Sequence, residues 1–321
     1  MSYLPRILTS LLAALALAGS LSLRAEPPKA PAAKSAAARP FIRVQKDQDG
    51  QPIALQTAVV RYVPASGQGE LTVDLISAIH VGDRAYYDQL NKLMQSYDVL
   101  LYELVAPEGT RIPKGGRKAE GPLAVLQPAV KLVLGLDWQV DRIDYTRKNF
   151  VHADLSFDKL AEAARKRGDD GLTLALSVAA DLLRQQNLQE QRKAKAAPAK
   201  QEEFDITSLL EPEGAAKLKQ MLAEQMATAV AADGGLGPTL HTLLVADRNQ
   251  AALKVFQREL AKGRKKIGIF YGAAHMPDFE KRLQEDFGLK RAGERWLTAW
   301  DLRPRERGLD ALLEILKSLE P

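Results

Sequence analysis

Two short apolar runs, each ending in a histidine, constrain this chain more than anything else in its 321 residues: Leu75-Ile76-Ser77-Ala78-Ile79-His80 and Ile267-Gly268-Ile269-Phe270-Tyr271-Gly272-Ala273-Ala274-His275. Each is rich in β-branched or aromatic residues, too short for a core helix and followed by a helical pattern, so each reads as a buried strand of parallel type. A third run, Val99-Leu100-Leu101-Tyr102-Glu103-Leu104, puts a carboxylate near its carboxyl end. In open α/β sheets ligands bind outside the carboxyl edge of the strands, so His80, Glu103 and His275 are expected to converge there. Two imidazoles and a carboxylate are a divalent-metal ligand set in type.

The expected fold class is α/β: a central mixed, largely parallel sheet flanked by helices, with a helical insertion at about 155–240. Residues 56–63 and 71–79 read as strands joined by Pro64-Ala65-Ser66-Gly67-Gln68-Gly69, which suggests a hairpin at the sheet edge. A helix at 84–96 then leads into the strand with Glu103, making a compact βαβ unit. A Gly/Pro/Lys-rich loop at 107–121 follows Glu103, either as a lid or as a plain connection. Ser156 reads as the N-cap of a helix at 157–166. Further helices are expected at 122–136, 171–190, 214–230, 247–262, 278–286 and 309–319, and a last strand at 295–302.

The amino terminus has its own character. Arg6, an apolar stretch from Ile7 to about Leu23 and Ala25 have the layout of a secretory signal peptide, spanning residues 1–25, and the expected location is exported, periplasmic or secreted. Cleavage there would remove two arginines and no acid, taking the formal charge from +5 to +3. Residues 26–40 are a Pro/Ala/Lys-rich linker, and a single domain is expected over 41–321. A membrane is a partner only if the signal segment is retained. Lysines and arginines are mixed with acids along the helices, so no nucleic-acid partner is expected. With no cysteine there is no disulfide, thiolate ligand or thiol nucleophile. No serine-hydrolase elbow, H-E-x-x-H helix, Walker loop or dinucleotide fingerprint is present.

The remaining candidates have two readings each. Glu103, in an otherwise apolar strand, must be paired, coordinated or protonated: it is either a metal ligand or catalytic base, or the partner of a buried arginine. Arg248, in Asp247-Arg248-Asn249, reads as standing at a helix start where side chain and helix dipole together stabilise negative charge. His152 and Asp154 are one alternation apart, which suits a second ligand pair or, equally, a hydrogen-bonded histidine and a capping aspartate. His241 carries no functional reading. The two strand-to-histidine units look like echoes of one another.

At these residues the chain resembles the TraB/PrgY/GumN family, itself similar to the Tiki metalloproteases and more remotely to the erythromycin-esterase and ChaN-like folds. That pattern has two G-x-x-H motifs, a glutamate on the strand after the first, and an arginine in an R-N pair before the second. Gly272-Ala273-Ala274-His275, Glu103 and Arg248-Asn249 match it, whereas Ser77-Ala78-Ile79-His80 has serine in place of glycine. The resemblance implies a site of His80, Glu103, Arg248 and His275; Asn249, His152 and Asp154 are separate candidates for the residues around it. It also implies a divalent-metal-dependent hydrolase, with manganese or cobalt and a peptide or small-molecule substrate. In that scheme His80, His275 and Glu103 hold the metal, and Arg248 stabilises the oxyanion. The alternative is a non-catalytic peptide- or haem-binding protein of the same fold.

Overall fold

The computed structural model describes residues 40–107, 109–110, 112–116, 130–131, 133–167, 212–231 and 238–304. The expected signal segment, nearly all of the linker, the charged stretch at 191–203 and the helices at 171–190 and 309–319 lie outside the described residues, as do parts of the 107–121 loop and the 122–136 helix. Nine strands are described: β1 (Ile42–Lys46), β2 (Pro52–Pro64), β3 (Thr72–Ala78), β4 (Val81–Gly82), β5 (Val99–Tyr102), β6 (Asp137–Trp138), β7 (Phe150–His152), β8 (Lys266–Gly272) and β9 (Leu289–Asp301). The helices that concern the site are α1 (Arg84–Met94), α2 (Gln139–Arg142), α3 (Phe157–Lys166), α4 (Pro212–Ala231), α5 (Pro238–His241), α6 (Asp247–Ala261) and α7 (Met276–Glu285).

Seven strands form one mixed sheet in the order β1-β2-β3-β8-β5-β7, with β9 also paired to β2. The strands β3, β8, β5 and β7 are mutually parallel, so their carboxyl ends share one edge. Alternation along them supplies both faces. Ile76, Phe270 and Leu100 pack in one core with Tyr86, Tyr87, Leu90 and Met94 of α1. Leu75, Ile269 and Leu101 pack in the other with Phe256 of α6 and Phe279 of α7. Each such side chain, fully removed from water, contributes about 1.5–3 kcal/mol, so a near-continuous apolar run is stable only between two helical layers.

Several sequence expectations change here. The strand pair β2 and β3 is not an edge hairpin, because β9 runs antiparallel along β2 from Ala54 to Pro64. The last strand begins at Leu289 rather than 295, its outer half being polar enough to hide the pattern. Most consequentially, β3 and β5 are not neighbours: β8, from the far end of the chain, lies between them. Among the described residues, no helix is long and apolar enough to cross a membrane.

Candidate functional site

The insertion of β8 assembles the site. Its last residue, Gly272, pairs with Ala78 of β3, and its Phe270 pairs with Tyr102 of β5. Glu103 follows Tyr102 directly, and its backbone N–H bonds Phe270 O at 3.1 Å. The Glu103 side chain turns toward the end of β8, where its Oε2 accepts from the Gly272 N–H at 2.6 Å. A Cβ added at Gly272 would come within 3.3 Å of that same oxygen, so this glycine allows the carboxylate its close approach to the backbone.

After Gly272 the chain enters a 3₁₀ turn, Ala273–His275, leading into α7. His275 is buried there, with 5% of its surface exposed. Its Nδ1 lies 2.7 Å from Asn249 Oδ1. The Asn249 amide nitrogen donates to His275 O at 2.9 Å and to Asp278 Oδ2 at 2.8 Å, and two acceptor partners identify it as the NH₂ end. Asn249 Oδ1 therefore faces the ring as an acceptor, the proton of neutral His275 sits on Nδ1, and Nε2 keeps a lone pair. Nε2 stands 3.6 Å from Glu103 Oε1 and 3.4 Å from Arg248 Nη1. Burial, with the nearby Arg248 charge, pushes the His275 pKa down to about 4, so the ring is neutral at pH 7.

Arg248 links the two ends of the cluster. Nε and Nη2 grip both oxygens of Asp154 at 2.9 and 2.7 Å, and Nη2 also donates to Glu103 Oε1 at 2.6 Å. Nη1 donates to Leu244 O at 3.2 Å and faces His275 Nε2. A guanidinium has five N–H groups, and these five contacts engage all of them. The group expected to stabilise an oxyanion is thus committed within the cluster. Burial alone would raise the Glu103 carboxyl, but His275, Arg248, His80 and the Gly272 amide together hold it down to about 2. Two carboxylates against one guanidinium leave an excess of negative charge beside the His275 lone pair that faces Arg248 Nη1.

Arg248 does not stand at a helix start as expected. A π-helical turn, Thr242–Ala246, joins α5 to α6 without a break, and Ala246 has helical angles of φ −63° and ψ −45°. The favourable electrostatics come from the side chain and not from a free helix terminus. Leu244, whose carbonyl Arg248 engages, lies in that π turn, an irregularity often found at functional sites.

The remaining candidates divide. Asp154, just beyond β7, receives Leu104 N–H on Oδ2 and Leu155 N–H on Oδ1 besides Arg248, and its side chain is fully buried. His152 does not form a ligand pair with it: its Nε2 is 2.7 Å from Leu104 O. Ser156 caps α3 as expected, its Oγ accepting from Lys159 N–H. His80 is exposed and lies at a bend between β3 and β4, close enough for its charge to act on both Glu103 and His275. The two histidine motifs are consequently not equivalent. The register pairs Ser77 with Tyr271 rather than with Gly272, and Ser77 Oγ is buried without a hydrogen-bond partner among the described residues. Asp278, which orients Asn249, had no local signal of its own.

Comparisons with family models, with curated proteins and with solved structures each return no match. The functional reading rests on the geometry. Among the described residues no three His, Asp or Glu side chains already form a metal cage. The pair His275 Nε2 and Glu103 Oε1 nevertheless suits one ion, because two ligands about 2.1 Å from a tetrahedral centre stand about 3.4 Å apart. Glu103 has acceptor capacity left after its bonds to Arg248 and Gly272, since an ionised carboxylate offers about four lone-pair sites.

Proposed function

We propose that the chain is an exported hydrolase that acts on peptides with a divalent cation at the carboxyl edge of its sheet, of the TraB/PrgY/GumN type and with an erythromycin-esterase/ChaN-like architecture. The observation that carries this reading is the neutral His275, its lone pair held 3.6 Å from an ionised and only partly used Glu103 carboxylate. A ligating histidine characteristically donates its other ring N–H to an oriented acceptor, and Asn249 meets that requirement. His275 and Glu103 would hold the cation, with the exposed His80 as third donor. When bound, such an ion lowers the pKa of its water toward neutrality and makes a nucleophile available.

The chain's own residues do the positioning. Arg248 and the Gly272 amide keep Glu103 ionised and aimed. Asp154 fixes Arg248 through two hydrogen bonds and is itself held by the backbone of residues 104 and 155. The peptide substrate class, the choice of manganese or cobalt and the periplasmic or secreted location belong to this proposal.

Elemental analysis of the purified chain and digestion of a peptide library with and without manganese test it. Wild-type protein is expected to retain a divalent ion and to cleave peptides only with it, and His275→Ala and His80→Ala each to lose cleavage at least a hundredfold. Full activity in both variants refutes the assignment. A haem absorption band after reconstitution, lost on changing one histidine and without cleavage, would instead support the binding-protein alternative.

A further inference from the structure

The His80 imidazole is exposed at its bend and has no hydrogen-bond partner among the described residues. Its place therefore depends on the backbone beneath it. That backbone is held at three consecutive carbonyls by three different parts of the chain. Ile79 O accepts from the buried Tyr87 hydroxyl of α1 at 3.2 Å, His80 O from the Gln139 N–H at 2.8 Å, and Val81 O from the Trp300 indole N–H of β9 at 2.6 Å. Just beyond, the Asp83 N–H donates to Ala299 O at 2.8 Å, and Asp83 Oδ2 accepts from the Asp301 N–H at 2.6 Å. The buried Lys219 of α4 ties the same two residues together, its Nζ donating to Asp83 Oδ1 at 3.2 Å and to Asp301 O at 3.0 Å. A Cβ added at Gly82 would meet Tyr86 Cδ1 at 2.9 Å and Ala299 O at 3.3 Å, so the segment has no slack. The strand β4 is only two residues long, yet α1, β6 and β9 close on it from three directions.

We infer that Trp300 is a positioning residue for His80: its indole N–H on Val81 O, with the Tyr87 hydroxyl on Ile79 O, holds the backbone on either side of the histidine in place before a cation binds. This rests on the cation reading above, in which His80 is the third donor. An indole has one N–H and no acceptor, so the Trp300 side chain, buried at the end of β9, spends its single hydrogen bond on this bend. Neither Trp300 nor Tyr87 touches the ion; both act through the chain that carries the ligand. Ordering backbone costs conformational entropy, and a bend already ordered by folding spares the bound state that cost.

The test is Co²⁺ binding, followed by its visible absorption, to Trp300→Phe and Tyr87→Phe, each made in the wild-type chain and again in His80→Ala. In the wild-type chain each change is expected to weaken binding about tenfold, the low end of what residues supporting metal ligands contribute. In His80→Ala, where the donor they position is gone, neither should weaken binding further. Urea midpoints report folding separately, and Tyr87→Phe, which removes one hydroxyl, carries the same comparison if Trp300→Phe does not fold. Unchanged affinity on removing these donors from the wild-type chain overturns the inference. An equal loss with and without His80 also overturns it, since that marks a packing role. Co²⁺ binding that is lost in His275→Ala but indifferent to His80→Ala keeps the cation reading and overturns the positioning role, whereas wild-type protein that binds no Co²⁺ removes both.

Discussion

Replacing Arg248 by methionine puts the central claim about the cluster at risk. Met fills much of the same volume but leaves two carboxylates facing a buried space without their cation; their side chains are 10% (Glu103) and 0% (Asp154) exposed. Removing one partner of a buried ion pair typically costs about 3–5 kcal/mol, and that is the loss expected at pH 7. The dependence on pH is more diagnostic. In the wild type the Glu103 carboxyl sits at about 2 against an ordinary 4.5, so it contributes stability that is complete above 4.5 and lost as pH falls toward 2. At about 1.4 kcal/mol per pH unit that contribution is about 3 kcal/mol. Without Arg248 the carboxyl loses one of the charges that hold it down, so its folded-state value rises and the variant loses less stability than the wild type as pH falls. Urea unfolding of both proteins, followed by far-ultraviolet circular dichroism at pH 7, 5, 4 and 3, measures the gap. It should be widest at pH 7 and narrow steadily below pH 5. A gap that is absent at pH 7, or constant across the series, refutes the account of the cluster.

Three further outcomes are expected. His275, neutral in the fold with a value near 4 against 6.5 unfolded, adds stability above pH 6.5 that disappears as pH falls through 4; its replacement by glutamine should flatten the stability profile across that window in the same urea series. Asn249→Leu removes three hydrogen bonds and the constraint on the His275 tautomer, so it should cost about 2–4 kcal/mol in urea and should release the His275 N–H resonance from its fixed nitrogen in ¹⁵N NMR spectra. Ser77→Ala deletes a buried hydroxyl that bonds nothing among the described residues, so calorimetry should show the melting temperature unchanged or raised, and a fall of several degrees would mean that the hydroxyl has a partner.

The parallel core was legible because each strand carries its own signature. A run such as Ile267-Gly268-Ile269-Phe270-Tyr271 is apolar on both faces, and that composition by itself calls for a helical layer on each side. The placement of His275 and Glu103 at strand ends followed from the same local reading, and so did the Ser156 cap, which depends only on a hydroxyl three residues ahead of a free amide. The Arg248–Glu103 pair was one of two readings left open, since a buried carboxylate requires a partner without specifying which.

What the tertiary structure alone decided is the order of the strands. Nothing within residues 71–104 reveals that a strand some 170 positions later enters between β3 and β5, because pairing between distant segments is selected by how completely the whole sheet is covered and not by any local pattern. From that one insertion follow the Gly272 amide on Glu103, the approach of His275 to the same carboxylate and the inequivalence of the two histidine motifs. The π turn that runs α5 into α6 and the bond from Gln139 to Tyr145 are likewise products of packing, formed by residues whose types alone announce neither.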